Sequence, residues 1–202
     1  MGDTLDTNEL ALLSHIPAGC DRALDVGCGA GAFARELAVR VQFVDAIDRS
    51  SEMIAVARRR WAGLPNLRFV EGDFMEMDLP AQQYAFISCI SVLHHMPFEA
   101  ALEKLRDALA PGGVLAVLGL HRNATVTDYA VSAVSVAARR FGAIGRMFAS
   151  PVPPKGDSRV IPPLAAPEMT LDEIRAGAER VLPGARVERH LGFRYSLRFE
   201  RS

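Results

Sequence analysis

Short apolar or β-branched runs alternate with longer stretches of helical period between residues 22 and 118. This alternation is typical of βαβ units, which build a parallel sheet covered by helices. The pattern therefore indicates an α/β fold. The predicted strands are Arg22–Val26, Phe43–Ile47, Leu67–Glu71, Tyr84–Ser88 and Val114–Gly119. The predicted helices are Thr7–His15, Ala32–Val39, Ser50–Ala62 and Pro97–Ala110.

Two features of the sequence mark the end of this region. Pro111-Gly112-Gly113 should end the fourth helix, because proline cannot continue a helix and glycine supplies the dihedral angles of a turn. The pattern then changes after Leu120. Residues Asp128–Phe148 have the period of an amphipathic helix, and residues 151 to 167 hold six of the twelve prolines, which predicts an irregular loop.

The last part of the chain returns to regular structure. A helix is predicted at Thr170–Val181, because Glu173 stands three residues after the threonine, at the spacing of a capping box. The alternating stretches Arg186–His190 and Tyr195–Glu200 around Gly192 predict a terminal hairpin. We expect a single domain over residues 1–202.

Composition narrows the class of protein. The 202 residues carry 23 basic and 24 acidic side chains, a formal net charge of −1, so the chain has no general field that would attract a nucleic acid. No apolar run reaches the roughly 18 residues that span a bilayer, and the acidic start MGDTLDTNEL lacks the pattern of a signal peptide. We therefore expect a cytoplasmic protein without integral membrane contact. The three cysteines, Cys20, Cys28 and Cys89, lack CxxC spacing, so neither a disulfide framework nor a metal site is expected.

A glycine-rich segment follows the first predicted strand. Gly27, Gly29 and Gly31 lack Cβ atoms, so the backbone there can turn sharply and approach a ligand at the start of a helix. Such a loop also occurs in dinucleotide-binding folds, where Ala32 could serve as the third small residue. Asp25, however, would stand beside the pyrophosphate of a dinucleotide. A carboxylate at that point better suits a ligand that carries a cationic amine.

The segment Leu24–Gly31 resembles the first motif of the class I S-adenosylmethionine-dependent methyltransferases of the small-molecule type. The resemblance covers residues 22 to 120 and includes four further segments in the expected order. These are Val44–Asp48, Gly72–Phe74, Cys89–Met96 and Leu109–Gly113. It implies a Rossmann-like three-layer sandwich with a mostly parallel seven-stranded sheet that ends in an antiparallel hairpin. It also implies S-adenosyl-L-methionine as cofactor and S-adenosyl-L-homocysteine as product.

The resemblance also implies roles for individual residues. Asp25 should engage the amino group of the methionine moiety, and Asp48 both ribose hydroxyls. Met53 should pack against the adenine, and Asp73 should face its amino group. The full set of expected cofactor-binding residues is Asp25, Gly27, Cys28, Gly29, Gly31, Asp48, Arg49, Met53, Gly72, Asp73, Phe74 and Cys89. Arg58, Arg59 and Arg60 are interpreted as a solvated helix end that complements the helix dipole.

Three histidines are candidates for acid–base catalysis. His94 and His95 follow the fourth predicted strand and His121 follows the fifth, and an unperturbed pKa of about 6.5 suits proton transfer at neutral pH. Adjacent helical residues diverge by about 100°, so only one of the pair should point inward. The resemblance favours His94.

The expected partner is a small-molecule acceptor and not a nucleic acid. In the resembled family an insertion after the fifth strand covers the acceptor, and residues 121–169 are the candidate for it. Residues 122 to 159 carry six basic and two acidic side chains, and the apolar face of the predicted helix suits a hydrophobic or aromatic acceptor. Three alternatives stay open: an RNA methyltransferase, a nicotinamide-dependent oxidoreductase that uses the same turn, and a cofactor-binding regulator.

Overall fold

Seven strands and five α-helices make up the part of the chain that the structure, a computed structural model, describes, namely residues 5–122, 167–191 and 193–202. The strands are β1 (Arg22–Val26), β2 (Phe43–Asp48), β3 (Leu67–Glu71), β4 (Tyr84–Ile90), β5 (Leu109–Leu120), β6 (Arg186–His190) and β7 (Arg194–Glu200). The helices are α1 (Thr7–Leu13), α2 (Ala32–Ala38), α3 (Ser51–Arg60), α4 (Phe98–Ala108) and α5 (Leu171–Val181). A 3₁₀ turn, Leu93–His95, follows β4.

The strands form one sheet in the order β3-β2-β1-β4-β5-β7-β6. The first five are parallel, and β7 is antiparallel to both β5 and β6. The predicted α/β fold with a mostly parallel sheet and a terminal hairpin is therefore confirmed. The order reverses between β1 and β4, and ligands of open α/β sheets bind beyond the carboxyl ends of the strands at such a point.

Two apolar clusters, one on each face of the sheet, form the core. One packs α1, α2 and α3 against the sheet through residues such as Leu12, Leu37 and Ile54. The other packs α4 and α5 through residues such as Leu105 and Ile174. Because parallel strands are covered on both faces, they consist of nearly continuous apolar runs, and this is why the pattern predicted them.

The boundary between α4 and β5 differs from the prediction. Leu109 and Ala110, expected at the end of the helix, belong to β5, whose register pairs Leu109 with Tyr84. Gly112 donates a backbone hydrogen bond of 2.7 Å to Arg201, and Arg201 donates one of 2.9 Å to Gly113. These bonds tie the Pro-Gly-Gly segment to the end of the chain, and the helix ends at Ala108, two residues earlier than predicted.

Several predictions fall outside the described residues. They are the amphipathic helix Asp128–Phe148, the proline-rich loop up to residue 166, and Gly192. The two ends of the expected insertion are described. Arg122 donates a backbone hydrogen bond of 2.8 Å to Met169 and forms an isolated bridge with Thr170, so the chain leaves the sheet and returns to it at one place. Within the described ranges no helix is long and apolar enough to cross a membrane.

Candidate active site

A cavity of about 650 Å³ opens at the carboxyl edge of the sheet. Its walls come from the segments that follow β1, β2, β3 and β4, which are also the segments that carry the sequence motifs. The predicted residues that line it are Gly27, Gly29, Asp48, Arg49, Met53, Gly72, Asp73, Phe74 and His95. Nine residues chosen from four separate parts of the sequence therefore meet around one space.

The glycine-rich loop, residues Gly27–Gly31, forms the floor of the cavity. The amides of Gly27 and Cys28 donate to the carbonyl of Ile47 at 2.8 and 3.0 Å, which ties the loop to the end of β2. Gly27 has φ 73°, and a Cβ atom there would overlap the side chain of Val92. The backbone approach that the loop makes to the segment after β4 is therefore open only to glycine.

Asp48 links this loop to the second strand. Its Oδ2 accepts a hydrogen bond of 2.8 Å from the amide of Gly29, and its Oδ1 accepts one of 2.8 Å from the amide of Ser50. Each carboxylate oxygen has two lone pairs, so each can accept a further bond from a ligand hydroxyl. Ser50 in turn caps α3 by accepting from the amide of Met53 at 3.2 Å.

The segment after β3 supplies the opposite wall. Gly72 donates its amide to the carbonyl of Asp48 at 3.0 Å, and the Oδ1 of Asp73 accepts from the amide of Met75 at 2.8 Å. Phe74 is buried behind them, and the ammonium of Lys104 lies 5.2 Å from its ring centroid. Lys104 also donates to the carbonyl of Met75 at 2.8 Å, so α4 fixes the course of this wall.

Asp25 is a buried carboxylate that is only half satisfied. It is 2% exposed, and its Oδ1 accepts a hydrogen bond of 2.6 Å from the hydroxyl of Ser88. Its Oδ2 is buried without a hydrogen-bond partner among the described residues. Burial raises the pKa of Asp25 to about 7, and the nearby carboxylates of Asp48 and Glu9 act in the same direction.

A second cavity, of about 430 Å³, lies beside Asp25. It is lined by Asp25, Glu9 and Cys28 among others, and it shares Gly27 and Ile90 with the first cavity. The two spaces therefore meet across the glycine-rich loop. An elongated ligand with a polar cationic end could occupy both.

Besides Asp25, three of the predicted cofactor-binding residues lie away from the first cavity. Cys28 lines the second cavity, and burial raises the pKa of its thiol. Cys89 is fully buried in the core and lines neither of these two cavities, and burial raises its pKa as well. Gly31 begins α2 with φ 81° and also lines neither. Both thiols are held in the neutral form, which is a poor nucleophile.

The structure separates the three histidines. His95 lines the first cavity, and burial lowers its pKa, with the charge of Arg49 contributing. His94, expected to point inward, does not line it; its ring nitrogens are buried without partners among the described residues, and burial lowers its pKa to about 4. His121 is 3% exposed, and its Nδ1 lies 3.2 Å from the carbonyl oxygen of Arg122. The inward position thus belongs to the second histidine of the pair.

Comparisons with known proteins agree with this geometry. A family model described as a methyltransferase domain matches residues 23–113. An uncharacterized methyltransferase of Mycobacterium tuberculosis is 31% identical over 177 residues, which is 87% of this chain and 85% of that protein. The chain belongs to the class I S-adenosylmethionine-dependent methyltransferases. S-adenosylmethionine is the methyl donor that defines this family.

Two further known proteins are similar to this methyltransferase. The trans-aconitate 2-methyltransferase of Rhizobium meliloti is 38% identical over 111 residues, which is 54% of this chain and 41% of that protein. The crystal structure of a SAM-dependent methyltransferase from Aquifex aeolicus is 20% identical, covers 97% of this chain and 90% of that chain, and has a TM-score of 0.63. The second likeness shows that the described part of the chain, hairpin included, shares the fold of that protein.

Part of the methyltransferase cavity was missed by sequence reasoning. Val92, Met96 and Pro97 line it beside His95, and Ser91 enters it with φ 55°. All four lie within or next to the fourth motif, so the signal for their neighbourhood was present. Their orientation depends on the 3₁₀ turn at Leu93–His95, which no local pattern predicted.

The structure contains features that fit the donor. The buried, unpartnered Oδ2 of Asp25 suits a cationic amine, and Gly27 lines both cavities, so its backbone suits a ligand that spans them. Asp48 retains acceptor capacity for hydroxyl groups. No cluster of three or more metal-ligating side chains occurs in the described ranges.

Proposed function

We propose that this methyltransferase acts on a small-molecule acceptor by direct in-line displacement. The observation that carries the proposal is that one cavity of about 650 Å³ holds both the donor-side carboxylates, Asp48 and Asp73, and a wall formed by His95, Met96 and Pro97. Cavities of 300–1,000 Å³ are typical of small-molecule sites. The name of the Rhizobium relative, a trans-aconitate methyltransferase, supports an acceptor of this size.

The donor would be held by groups on both sides of the loop. Asp48 accepts from the ribose hydroxyls, and Asp73 with Phe74 receives the adenine. The Oδ2 of Asp25 pairs with the ammonium of the methionine moiety. This last contact explains why a buried carboxylate keeps an unpartnered oxygen, which costs stability in the absence of a ligand.

When bound, the donor supplies a methyl group on a positively charged sulfur, which passes to a lone pair of the acceptor while the sulfonium becomes a neutral thioether. The chain contributes mainly position and proton handling. Burial lowers the pKa of His95, which favours the neutral imidazole, the form that can accept a proton from a hydroxyl or an acidic carbon. A neutral amine acceptor would depend less on a base, because its nitrogen already has a free lone pair.

The walls on the acceptor side favour a hydrophobic compound. The apolar residues Val92, Met96 and Pro97 line the cavity, and Met75 lines it as well. Apolar walls with a few polar groups select ligands of matching character. The expected insertion at 121–169 and a cytoplasmic location stay predictions, as does the absence of a nucleic-acid partner.

The first test compares ligands on the purified protein. Isothermal calorimetry should show micromolar binding of S-adenosylhomocysteine and none of NAD. Asp48→Ala should raise the dissociation constant for S-adenosylhomocysteine at least about tenfold, because it removes hydrogen bonds between the ligand and a charged group. Binding of NAD alone, or of neither ligand, would contradict the assignment of the cavity.

The second test addresses the acceptor. Transfer of label from methyl-tritiated S-adenosylmethionine should be measured with a panel of hydrophobic hydroxyl, amine and carboxylate compounds and with total RNA. Label in a small molecule is expected. Label in RNA alone would replace the small-molecule proposal with the RNA alternative.

A further inference from the structure

Trp61 contacts the glycine-rich loop and does not line the first cavity. It follows the last residue of α3, and its indole N–H donates a hydrogen bond of 2.9 Å to the carbonyl oxygen of Ala30. The two residues are separated by 31 positions in the chain. The bond therefore fastens the loop to a different βα unit from the one that contains it.

Gly31 makes room for this contact. A Cβ atom at Gly31 would lie 2.7 Å from ring atoms of Phe69 and 3.0 Å from Cδ1 of Trp61. Such distances are too short for real carbon contacts, so only glycine lets the loop pack against both rings. The third glycine of the motif therefore lets the loop pack against two aromatic rings. It does not line the first cavity.

Two arginines hold the indole in place. The guanidinium carbon of Arg35 lies 5.8 Å from the centroid of the Trp61 ring, and that of Arg60 lies 5.3 Å from it. Both distances are within the range of cation–π attraction. Arg35 belongs to α2, directly after the loop, and Arg60 to the end of α3, so the ring joins both helices to the loop.

The loop is also held at the end of β2. There the amide of Gly29 is held by Asp48, and the amides of Gly27 and Cys28 are held by Ile47. A loop fixed at both places loses little conformational freedom when a ligand binds, and this preorganisation increases affinity.

We propose that Trp61 is a positioning residue for the donor. Its hydrogen bond to Ala30 sets the course of the glycine-rich loop and, through Gly29, the orientation of Asp48. The inference rests on the proposed assignment of this loop and of Asp48 to donor binding. It adds a residue outside every recognised motif to the groups that determine donor affinity.

Trp61→Phe tests the hydrogen bond while keeping an aromatic ring against Gly31. We expect the dissociation constant for S-adenosylhomocysteine to rise about fivefold, the size of one lost hydrogen bond. The KM for the donor should rise by a similar factor while kcat changes less than about twofold. In the ligand-free variant, backbone amides of residues 27–31 should exchange with deuterium faster than in the wild type, and saturating ligand should remove this difference.

Asn66→Ala is the matched control. The Asn66 amide also joins separate parts of the chain, since it donates to the carbonyls of Ala38 at 2.8 Å and Val41 at 3.1 Å, but it does not touch the loop. It should lower Tm at least as much as Trp61→Phe and leave the dissociation constant within about twofold. Equal losses of affinity in both variants would reduce Trp61 to a general stability residue and overturn the inference.

Asp48→Ala separates this inference from the proposed function. Weaker binding in Asp48→Ala together with unchanged binding and exchange in Trp61→Phe would overturn the role of Trp61 alone. Unchanged binding in both variants would overturn the assignment of the loop to the donor, and the role of Trp61 with it.

Discussion

The hydroxyl of Ser88 on β4 donates a hydrogen bond of 2.6 Å to one carboxylate oxygen of Asp25 on β1, and the other oxygen of Asp25 is buried without a partner among the described residues. A single hydrogen bond does not compensate a buried carboxylate, so Asp25 holds its proton to about pH 7. The charged form of Asp25 therefore lowers the free energy of unfolding of the ligand-free protein. A cationic ligand that pairs with this carboxylate would offset the loss.

Asp25→Asn should stabilise the ligand-free protein. Because the folded-state pKa of Asp25 is about 7 and its ordinary value is 3.8, the unfolded chain binds fewer protons between these values, and wild-type stability falls as pH rises through them. Asp25→Asn has no ionisable group at this position, so its stability should not fall in this pH range. Its Tm relative to wild type should be near parity at pH 4 and higher by at least about 3 °C at pH 8.

The same carboxylate should make donor binding depend on pH. Only the charged form can pair with an ammonium group, so the wild-type dissociation constant for S-adenosylhomocysteine should increase about tenfold from pH 8 to pH 6. Asp25→Asn should bind weakly with little dependence on pH. Calorimetry at four pH values measures both, and a flat wild-type profile would show that Asp25 does not face the ligand's amine.

His95→Ala should reduce turnover more than donor affinity. If the acceptor proton is removed by His95, kcat should fall at least about 100-fold while the dissociation constant for S-adenosylhomocysteine changes little. The wild-type kcat should rise with pH to a plateau, with its midpoint below 6.5 because burial lowers the pKa of His95. The acid limb should vanish in the variant.

His94→Leu provides the contrast. It replaces buried ring nitrogens that have no described partner with apolar atoms, so Tm should stay unchanged or rise. Its kcat should remain within several-fold of wild type. A large loss of turnover in His94→Leu with normal turnover in His95→Ala would reverse the two roles.

Gly27→Ala should destabilise the loop through a steric overlap. The new Cβ would overlap the side chain of Val92, at a residue with φ 73°, so we expect a loss of roughly 2–3 kcal/mol in unfolding free energy. Gly29→Ala, at φ 52° with no atom within 4 Å of its Cβ position, should cost only about 1 kcal/mol. Urea denaturation measures both.

The double variant Gly27→Ala with Val92→Ala isolates the overlap. It should recover about 1 kcal/mol relative to the sum of the single variants, because the colliding methyl groups are gone. Strict additivity would show that the cost of Gly27→Ala comes from its backbone conformation alone.

Asp45 should contribute stability without contributing to donor binding. It is buried on β2 and accepts from Arg68 Nε at 2.7 Å and from the hydroxyl of Tyr84 at 3.1 Å, with Arg22 Nε at 3.3 Å. Asp45→Ala should cost roughly 2–3 kcal/mol, less than a fully buried pair, because the Arg68 side chain is 68% exposed.

Tyr84→Phe is the milder companion of Asp45→Ala. It should lower the free energy of unfolding by about 1 kcal/mol, because it removes one hydroxyl that donates to Asp45. Asp45 stands three residues before Asp48 on the same strand, roughly 10 Å away. Affinity for S-adenosylhomocysteine should therefore stay within about twofold in both variants. A large loss of affinity would show that the strand transmits the change to the cavity.

The parallel sheet and the glycine-rich loop were predictable for local reasons. Strands buried on both faces keep apolar runs, and a turn with positive φ, such as 73° at Gly27, favours glycine. The positions of Asp48 and Asp73 at one cavity followed from topology, because parallel strands end at the same edge of the sheet.

The rest depended on contacts between distant residues. No pattern distinguishes His94 from His95, since the 3₁₀ turn that orients them forms only against the packed core. The end of α4 is displaced by hydrogen bonds to Arg201. Arg58, Arg59 and Arg60 are exposed in the last turn of α3, as predicted. The sequence did not indicate that Arg58 also donates to the carbonyl of Phe69 at 2.9 Å, or that Arg60 lies over the ring of Trp61.

The hydrogen bond between Arg122 and Met169 has an evolutionary consequence. It joins the points at which the chain departs from β5 and rejoins α5, so the sheet holds these two points together whatever residues lie between them. Loop closure depends only weakly on length, so that stretch can lengthen, shorten or recombine between relatives at little thermodynamic cost. On the prediction that this stretch covers the acceptor, a change of acceptor preference between relatives would leave the donor half of the fold intact.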